Sequence, residues 1–287
     1  MISEVMARIG KAEGVTEEMT ETVKEMKKID YITVKKQCVL SESNVRIEDS
    51  IFTAATGAYW IHEDGKPFHT FRTATVLCDG DNVTFKKCIF ENSAGPGEEN
   101  GQAIALYLDG DDIVVEDSII IGNQDTLFLA PLPPKEYEKD GFLGPKQFTP
   151  RTMRHFTFRR CSIYGSVDFI FGGGNAMFED CDFISVAPGW VFAPCTPEGE
   201  QEGFVAKNCR FLHTEEVPEG SCYIARPWRE YAGVKLINCY LDKHIAPAGW
   251  HDWGKTDAHE TVRFIEQGSY GPGADNASRP EWVEASE

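Results

Sequence analysis

The sequence lacks the short motifs that identify many enzymes. It contains no GxSxG, no HExxH and no CxxC, and the glycine run at 172–174 lacks the Lys-Ser/Thr pair of a phosphate-binding loop. These absences argue against a serine hydrolase of that type, a zinc peptidase and a P-loop site, and they favour a tight turn for the glycine run. None of the seven histidines lies beside Ser or Cys in a catalytic context. Any catalytic chemistry therefore rests on carboxylates.

Basic residues and long apolar runs are also scarce. The 28 Lys and Arg residues face 46 Asp and Glu residues, for a net charge of −18. Repulsion then argues against nucleic acids and anionic membranes as partners. No apolar run approaches the roughly 20 residues of a membrane helix, and the first residues, MISEVMARIGKAEG, lack a signal peptide's apolar stretch. We expect a soluble cytoplasmic chain, or a secreted one if the true start lies upstream.

A repeat of seven copies determines the predicted architecture. In each copy apolar residues lie five and three positions before a central Ser or Cys and two positions after it. The central residues are Ser50, Cys88, Ser118, Cys161, Cys181, Cys209 and Cys239. A period of two on either side of a short bend predicts two short strands per copy. One such unit cannot bury its apolar face alone, so the copies must stack, which predicts an all-β parallel β-helix.

Two other repeat architectures fit less well. A leucine-rich repeat would need a leucine and asparagine signature, and a propeller would need four strands in the 20 residues between Cys161 and Cys181. The five repeat cysteines predict a ladder of buried small side chains, since serine takes the same position twice. Disulfides or a zinc site are the alternatives, but no cysteine has metal-ligand spacing.

The chain divides into three predicted segments. Residues 1–30 are charged and predict a helix that caps the open end of the coil stack, with a partner-binding helix as the alternative. Residues 31–267 form the β-helix, and 268–287 form closing turns and a frayed tail. Within the β-helix, 130–152 has five prolines and no periodicity, so it predicts a projecting loop that forms the wall of a cleft.

Two aspartates occupy equivalent positions in successive copies. Asp125 follows Ser118 by seven residues, and Asp168 follows Cys161 by seven residues. Stacked coils would place them about 5 Å apart, the spacing of strands in a sheet. Two carboxylates that close cannot both ionise cheaply, which favours one acid and one base or nucleophile. The alternative is a pair of solvated turn residues, but the apolar context VDFIF around Asp168 argues against it.

Amide, guanidinium and aromatic side chains accompany the two acids. Gln102 and Gln124 offer uncharged donors of the kind that a developing oxyanion needs. Arg226 can hold one carboxylate ionised, and Trp228 offers a flat face for a sugar ring. The simpler alternatives are a structural salt bridge for Arg226 and a packing role for Trp228.

Seven motifs resemble, in order, those of the carbohydrate esterase family 8 pectin methylesterases. They are TFRTATV (70–76), ENSAGPG (91–97), GQAIALY (101–107), GNQDTLF (122–128), GSVDFIFG (165–172), ARPWREY (225–231) and PAGW (247–250). The resemblance covers about residues 70–254. It implies a right-handed parallel β-helix that hydrolyses methyl esters of galacturonan or its oligomers without a cofactor or a metal. We expect such a chain to be a monomer.

The resemblance also implies a role for each matching residue. Asp168 would attack the ester carbonyl, and Asp125 would protonate the departing methanol and then activate water. Gln102 and Gln124 would bind the oxyanion, and Arg226 would orient Asp168. The residues implied to line the sugar subsites are Trp228, Trp250, Phe128 and Phe171. Asn123 replaces the family's usual tyrosine, Ile224-Ala225 replaces Leu-Gly, and residues 1–60 barely resemble the usual first coils.

Three other functions remain open at this stage. Paired aspartates also fit a polygalacturonase, and acidic clusters fit a calcium-dependent pectate lyase, although neither explains Gln102 and Gln124. Too few oxygen ligands accompany the two acids for calcium, which takes six to eight. The third alternative is an inactive carbohydrate-binding β-helix, which would keep the tryptophan and lose an acid, whereas both acids are present.

Overall fold

Three parallel sheets form the walls of a solenoid in the computed structural model, which describes residues 26–286. The chain winds as a right-handed parallel β-helix, the sense that parallel crossovers take. The first sheet runs in the order β1 (Lys27–Asp30), β4 (Val45–Glu48), β7 (Val83–Lys86), β10 (Ile113–Glu116), β13 (His155–Arg159), β16 (Asn175–Glu179), β19 (Phe204–Lys207), β22 (Gly233–Ile237), β24 (Arg263–Gln267) and β25 (Glu284–Ser286). The predicted fold class is confirmed.

The other two sheets run beside the first along the same axis. The second sheet contains β2 (Thr33–Val34), β5 (Ile51–Ala54), β8 (Ile89–Asn92), β11 (Ile119–Ile121), β14 (Ser162–Gly165), β17 (Asp182–Ser185), β20 (Arg210–His213) and β23 (Tyr240–Leu241). The third contains β3 (Cys38–Leu40), β6 (Val76–Cys78), β9 (Leu106–Leu108), β12 (Leu127–Leu129), β15 (Ile170–Gly172), β18 (Gly189–Pro194) and β21 (Cys222–Ala225).

Helical segments are few and short. A single α-helical turn, α1, spans Gly97–Asn100, and 3-10 turns span Thr70–Arg72, Thr256–Glu260 and Asn276–Ser278. Over residues 26–286 the structure contains no helix with the length and apolarity needed to cross a bilayer.

The repeat predicted from the sequence coincides with the observed register. Val45 pairs with Val83, and Ile113 pairs with Phe156, so the positions five before the centre stack directly on one another. These side chains point inward and are buried in the main core. Aromatic rings also stack from coil to coil, with ring centroids 4.7 Å apart for Phe158 and Phe178.

The predicted ladder of small side chains is also confirmed. All seven central Ser and Cys residues are buried, and all nine cysteines are free thiols. Their thiols donate to inner backbone carbonyls, as Cys161 Sγ does to the oxygen of Val115 at 3.3 Å. The residue before each centre is left-handed, with φ of 47° at Asp49 and 55° at Asp180 as the extremes. This left-handed residue turns the chain from the first sheet into the second.

The third sheet is the element that the two-strand repeat misses. Its strands lie at irregular distances from the repeat centres, because loops of very different lengths precede them. The segment AIALYL (103–108) has the pattern of a strand in the sequence, and β9 lies within it. The cleft described below lies on the outer face of this sheet, so the irregular spacing accompanies the part of each coil that borders the cleft.

Two predicted segment boundaries need correction. The predicted cap helix falls mainly on residues 1–25, which lie outside the described residues. Within the described residues β1 already belongs to the first sheet, so Lys27–Asp30 is part of the solenoid rather than of the predicted cap. The prediction that the C-terminal tail is frayed is wrong. β25 pairs with β24, and Arg279 forms a buried bidentate ion pair with Glu266 at 2.8 and 3.0 Å. The tail therefore closes the C-terminal end of the solenoid.

The proline-rich loop at 130–152 packs over the third sheet. Arg151 donates to the backbone oxygens of Pro133, Gln147 and Thr149, which gives the loop a fixed shape without regular secondary structure. Lys146 ties the loop to the solenoid through an ion pair with Asp79 at 2.5 Å. The loop forms one wall of the cleft described below, as predicted.

Candidate active site

A cleft of about 280 Å³ on the outer face of the third sheet contains all five predicted catalytic residues. Gln102 precedes β9, Gln124 and Asp125 precede β12, Asp168 precedes β15, and Arg226 follows β21. The remaining lining residues are Thr70, Phe71, Glu138, Gly141, Phe171, Ala193, Trp228 and Trp253. Because these strands lie in one sheet in the order β21, β18, β15, β12 and β9, residues separated by more than 100 positions in sequence lie together.

The two aspartates stack as the repeat predicts. Leu127 pairs with Ile170, so Asp125 and Asp168 share one level on adjacent strands about 4.8 Å apart. The backbone N–H of Asp125 donates to the oxygen of Val167 at 3.0 Å. Both residues are left-handed, with φ of 60° and 50°, and only 8% and 6% exposed. Aspartate tolerates this backbone conformation better than most residues.

Arg226 holds Asp168 through a bidentate ion pair. Nε donates to Oδ1 and Nη2 donates to Oδ2, both at 2.7 Å. The guanidinium lies between two indole rings, 3.6 Å from the Trp190 centroid and 3.7 Å from the Trp253 centroid. Stacking on both faces confines the guanidinium to one plane, so the Asp168 carboxylate has one orientation.

The two carboxyl groups differ in their electrostatic surroundings. Burial raises the pKa of Asp125 well above its ordinary value, and the neighbouring charge of Asp168 raises it further. Burial also raises the pKa of Asp168, but the hydrogen bonds and charge of Arg226 oppose that rise. Among the described residues no donor reaches the Asp125 carboxyl group within hydrogen-bond distance. Asp125 is therefore the group that stays protonated when Asp168 is ionised.

Gln102 and Gln124 line the same cleft as the two aspartates, and their side-chain amides are free of hydrogen bonds to the described residues. Neither amide has a hydrogen-bond partner among residues 26–286. Gln124 approaches closely because Gly97 lacks a side chain, since a Cβ at Gly97 would lie 2.3 Å from its Oε1. Two side-chain NH2 groups therefore remain available to a bound oxyanion.

Two of the four aromatic residues predicted to line sugar subsites lie in the cleft, and the other two do not. Phe171, which is 3% exposed, and the half-buried Trp228 both line the cleft. Phe128 is 0% exposed and supports Phe171 from beneath, with centroids 4.9 Å apart, so it does not face a ligand. Trp250 is wrong as a subsite residue. It is 1% exposed, pairs with Ala225 in the solenoid and donates from Nε1 to Glu266.

Three functional candidates escaped the sequence analysis. Trp253, three residues after Trp250, takes the cleft position predicted for Trp250. Trp190 lies one coil away from Asp168 and covers the second face of Arg226. Lys255 Nζ donates to the oxygens of Pro227 and Trp228 at 2.7 and 3.0 Å. The signal for Trp253 and Lys255 was the run HDWGK, which places a tryptophan and a lysine two residues apart after PAGW, whereas Trp190 lies outside the seven motifs.

Two groups of side chains in the described part of the chain have ligand atoms close enough together to share a cation. They are Asp111, Asp112 and His155, and Asp30, Glu48 and Asp49. Neither group lines the cleft. Exposed acidic groups of this kind are common in a chain with a net charge of −18.

Comparisons with known proteins agree with the geometry. The family model described as Pectinesterase matches residues 8–132 and 147–286. A pectinesterase of Petunia integrifolia is 34% identical over 224 residues, which is 74% of this chain and 54% of that protein. The first curated relatives are longer, and the chain spans between 37% and 54% of their length.

Solved structures show the same fold. The pectin methylesterase from carrot superposes with a TM-score of 0.75 at 24% identity, covering 93% of this chain and 80% of that chain. A pectin methylesterase in complex with a hexasaccharide superposes with a TM-score of 0.70 at 20% identity, covering 99% of this chain and 88% of that chain.

Proposed function

This chain belongs to the pectinesterase family, and we propose that it hydrolyses methyl esters of galacturonan to free carboxylate and methanol. The observation that carries the proposal is the stacked pair of acids, one fixed by Arg226 and the other without a donor. A fixed carboxylate can attack, and a buried carboxylic acid can donate a proton. Two different electrostatic environments thus support two roles for the same residue type.

In the proposed first step an oxygen of Asp168 attacks the ester carbonyl carbon. The carbonyl oxygen becomes an oxyanion within reach of the amides of Gln102 and Gln124. The bond from carbon to the methoxy oxygen then breaks, and the Asp125 carboxyl proton passes to that oxygen, so methanol leaves. The products of this half-reaction are an anhydride with Asp168 and an ionised Asp125.

The second step returns the enzyme to its starting state. Asp125, now a base, takes a proton from water, and the water oxygen attacks the carbonyl carbon of the galacturonate unit. The bond from this carbon to the Asp168 oxygen breaks, which releases the galacturonate unit as a carboxylic acid that then loses its proton to solvent. Asp168 is again an anion bound to Arg226, and Asp125 is again protonated. The cycle consumes one water and needs no metal or cofactor.

The proposed substrate is a galacturonan chain or oligomer that lies across the third sheet. Phe171 and Trp228 line the cleft with aromatic side chains, which suit the apolar faces of sugar rings. The hexasaccharide complex of a protein with the same fold supports an oligosaccharide of this class. We propose that the active unit is a monomer, since one chain supplies both acids, both amides and Arg226.

A polygalacturonase and a pectate lyase are less well supported. Both would cleave the chain and neither gives a role to two uncommitted amides beside the acids. Incubation with a methylated galacturonan oligomer distinguishes them: the esterase releases methanol with the oligomer's length unchanged, including after exhaustive chelation. Shorter oligomers without methanol, or activity that is lost on chelation and returns with calcium, would contradict the proposal.

A further inference from the structure

A second pair of stacked aspartates lies on the third sheet, outside the catalytic cleft. Asp79 directly follows β6, and Asp109 directly follows β9. Cys78 pairs with Leu108, so the two aspartates occupy one level of adjacent coils. Their side chains are mostly buried, with 21% and 9% exposed. Two carboxylates in this position need a cation near them, because neither water nor distance separates their charges effectively.

Lys146 of the proline-rich loop supplies that cation. Its Nζ lies 2.5 Å from Asp79 Oδ2 and 3.6 Å from Asp109 Oδ2. Burial raises the pKa of Asp109, although the charges of Lys146 and Arg154 oppose that rise. Without Lys146 two largely buried carboxylates would face each other unpaired. The shared ammonium group therefore anchors this end of the loop to the solenoid.

The wall segment, residues 138–145, directly precedes Lys146 in the chain. Glu138 and Gly141 of this segment line the catalytic cleft. The backbone N–H of Gly141 donates to the oxygen of Glu138 at 3.0 Å, which is a local turn hydrogen bond. Local bonds of this kind shape the segment but do not fix it on the solenoid. The position of the wall therefore depends on the anchor at its end.

Phe71 connects the wall segment to the catalytic cleft. A Cβ added at Gly144 would lie 2.7 Å from the backbone oxygen of Phe71, so the wall lies directly against this residue. The ring of Phe142 meets the ring of Phe71 edge to face, with centroids 5.9 Å apart. Phe71 lines the cleft itself and packs near Phe171, with centroids 6.1 Å apart. A displaced wall would thus alter the space in which a substrate binds.

The reacting groups lie on a different part of the structure. Both acids, both amides and Arg226 lie beside strands β9, β12, β15 and β21 of the solenoid, not on the loop. The matched parts of the family model end at residue 132 and resume at 147, so the family pattern does not specify the wall segment or Lys146. Movement of the wall would change the fit of a substrate and leave the reacting groups in place.

We propose that Lys146 is a positioning residue for the catalytic cleft, because its shared ion pairs with Asp79 and Asp109 hold the wall segment against Phe71. Loss of the anchor lowers the fraction of molecules whose wall is in the substrate-binding position, and the apparent KM rises by the same factor. The value of kcat is retained, since a bound substrate meets the same reacting groups. The inference rests on the proposed function, because it concerns the binding of substrate to the same cleft.

The test measures methanol release from a methylated galacturonan hexamer by Lys146→Gln, which removes the charge and keeps an N–H donor. KM should rise about tenfold, as for a tenfold smaller binding-competent fraction, while kcat stays within about twofold of that of the unmodified enzyme. Lys146→Arg keeps the charge and can contact both carboxylates through its planar fork, so it should restore most of the change in KM. Lys139→Gln is the matched control, since Lys139 is an exposed cation of the same wall segment, and it should leave both constants unaltered.

Gly144→Ala displaces the wall while leaving the ion pairs in place, so it should raise KM in the same way. If Lys146→Gln does not fold, Asp79→Asn takes its place, because it removes the nearer ion pair and leaves Asp109 to Lys146. A role in overall stability alone would lower the unfolding temperature or the active fraction and would not alter KM. An unchanged KM in the anchor variant or in Gly144→Ala would overturn the proposal, as would a fall in kcat alone.

Hydrogen exchange measured by mass spectrometry tests the anchor without an activity assay. Backbone amides of residues 138–147 should exchange faster in Lys146→Gln than in Lys139→Gln, because the wall opens more often. Equal exchange in the two variants would overturn the anchor. No methanol from the unmodified enzyme would instead overturn the proposed function.

Discussion

Arg226 and Asp168 meet through two hydrogen bonds of equal length, 2.7 Å each, although 58 residues separate them in the sequence. Lys cannot reproduce this bond pair, because an ammonium group is a point charge without a planar fork. We predict that Arg226→Lys lowers kcat by roughly 10- to 100-fold, the equivalent of about 1.5–3 kcal/mol for a charge-assisted hydrogen bond. KM should change much less. A larger effect on KM than on kcat in steady-state methanol assays would assign Arg226 to substrate binding.

The raised pKa of Asp125 makes a prediction about pH. Methanol release requires ionised Asp168 and protonated Asp125, so the rate should fall at low pH as Asp168 gains a proton and at high pH as Asp125 loses one. Asp125→Asn removes the proton donor and should reduce the rate by roughly 10²–10⁴-fold. The alkaline limb should then disappear from whatever activity remains. An unchanged bell-shaped profile in Asp125→Asn would assign that limb to another group.

The same shift affects stability. A folded-state pKa above the unfolded value contributes stability at low pH, and this contribution is lost as pH rises through the folded-state pKa. Asparagine does not ionise, so a variant with Asn at this position does not lose stability as the pH rises. Asp125→Asn should therefore be more stable than the unmodified chain near neutral pH, with the difference shrinking in acid. Urea unfolding at a series of pH values measures this difference, and a constant difference across the series would show that the Asp125 carboxyl is not perturbed by folding.

Gly97 permits the position of Gln124. A methyl group at residue 97 would lie 2.3 Å from Gln124 Oε1, so Gly97→Ala should displace the amide from the oxyanion position. We predict a fall in kcat of about 10²-fold, as for loss of one oxyanion donor, with the fold intact. Glu98→Ala, an exposed change in the same helical turn, is the control and should leave kcat unaltered. Equal kcat in both variants would remove Gln124 from the mechanism.

Trp250 and Trp253 should respond in opposite ways to substitution. Trp250 is buried against Phe264 and Glu266, so Trp250→Ala should cost about 3–5 kcal/mol of stability. Trp253 is partly exposed and stacks on Arg226, so Trp253→Ala should chiefly lower kcat. Thermal unfolding measures the stability of both variants, and methanol assays measure their kcat. Loss of activity without loss of stability in Trp250→Ala would restore Trp250 to the substrate subsites.

The sequence predicted the inner wall of the solenoid almost residue by residue. Positions such as Val45 and Val83 follow a strict period of two, and burial forces them into register. The same register places Asp125 beside Asp168, because both lie at one offset from the ladder. Local periodicity was therefore sufficient to predict both the buried apolar positions and the stacking of the two aspartates.

Residues on the outer face of the third sheet have no fixed offset from the central Ser or Cys of each repeat. Trp250 and Trp253 are both aromatic in one short segment, and only the bridge from Trp250 to Ala225 decides which of them turns inward. Trp190 contacts Arg226 across coils through a strand that has no fixed offset from its repeat centre. The N-terminal boundary shifted for a related reason, since β1 is polar on its exposed face and joins the sheet through pairing with β4.

The role of Asp168 as nucleophile is tested most directly by methanol release from a methylated galacturonan hexamer with the Asp168→Asn variant. Asparagine keeps the shape of the side chain but lacks the attacking carboxylate oxygen. We predict that methanol release falls to near the uncatalysed background while the hexamer still binds with an affinity close to that of the unmodified enzyme. Near-normal methanol release by Asp168→Asn would contradict both the nucleophile assignment and the esterase mechanism built on it.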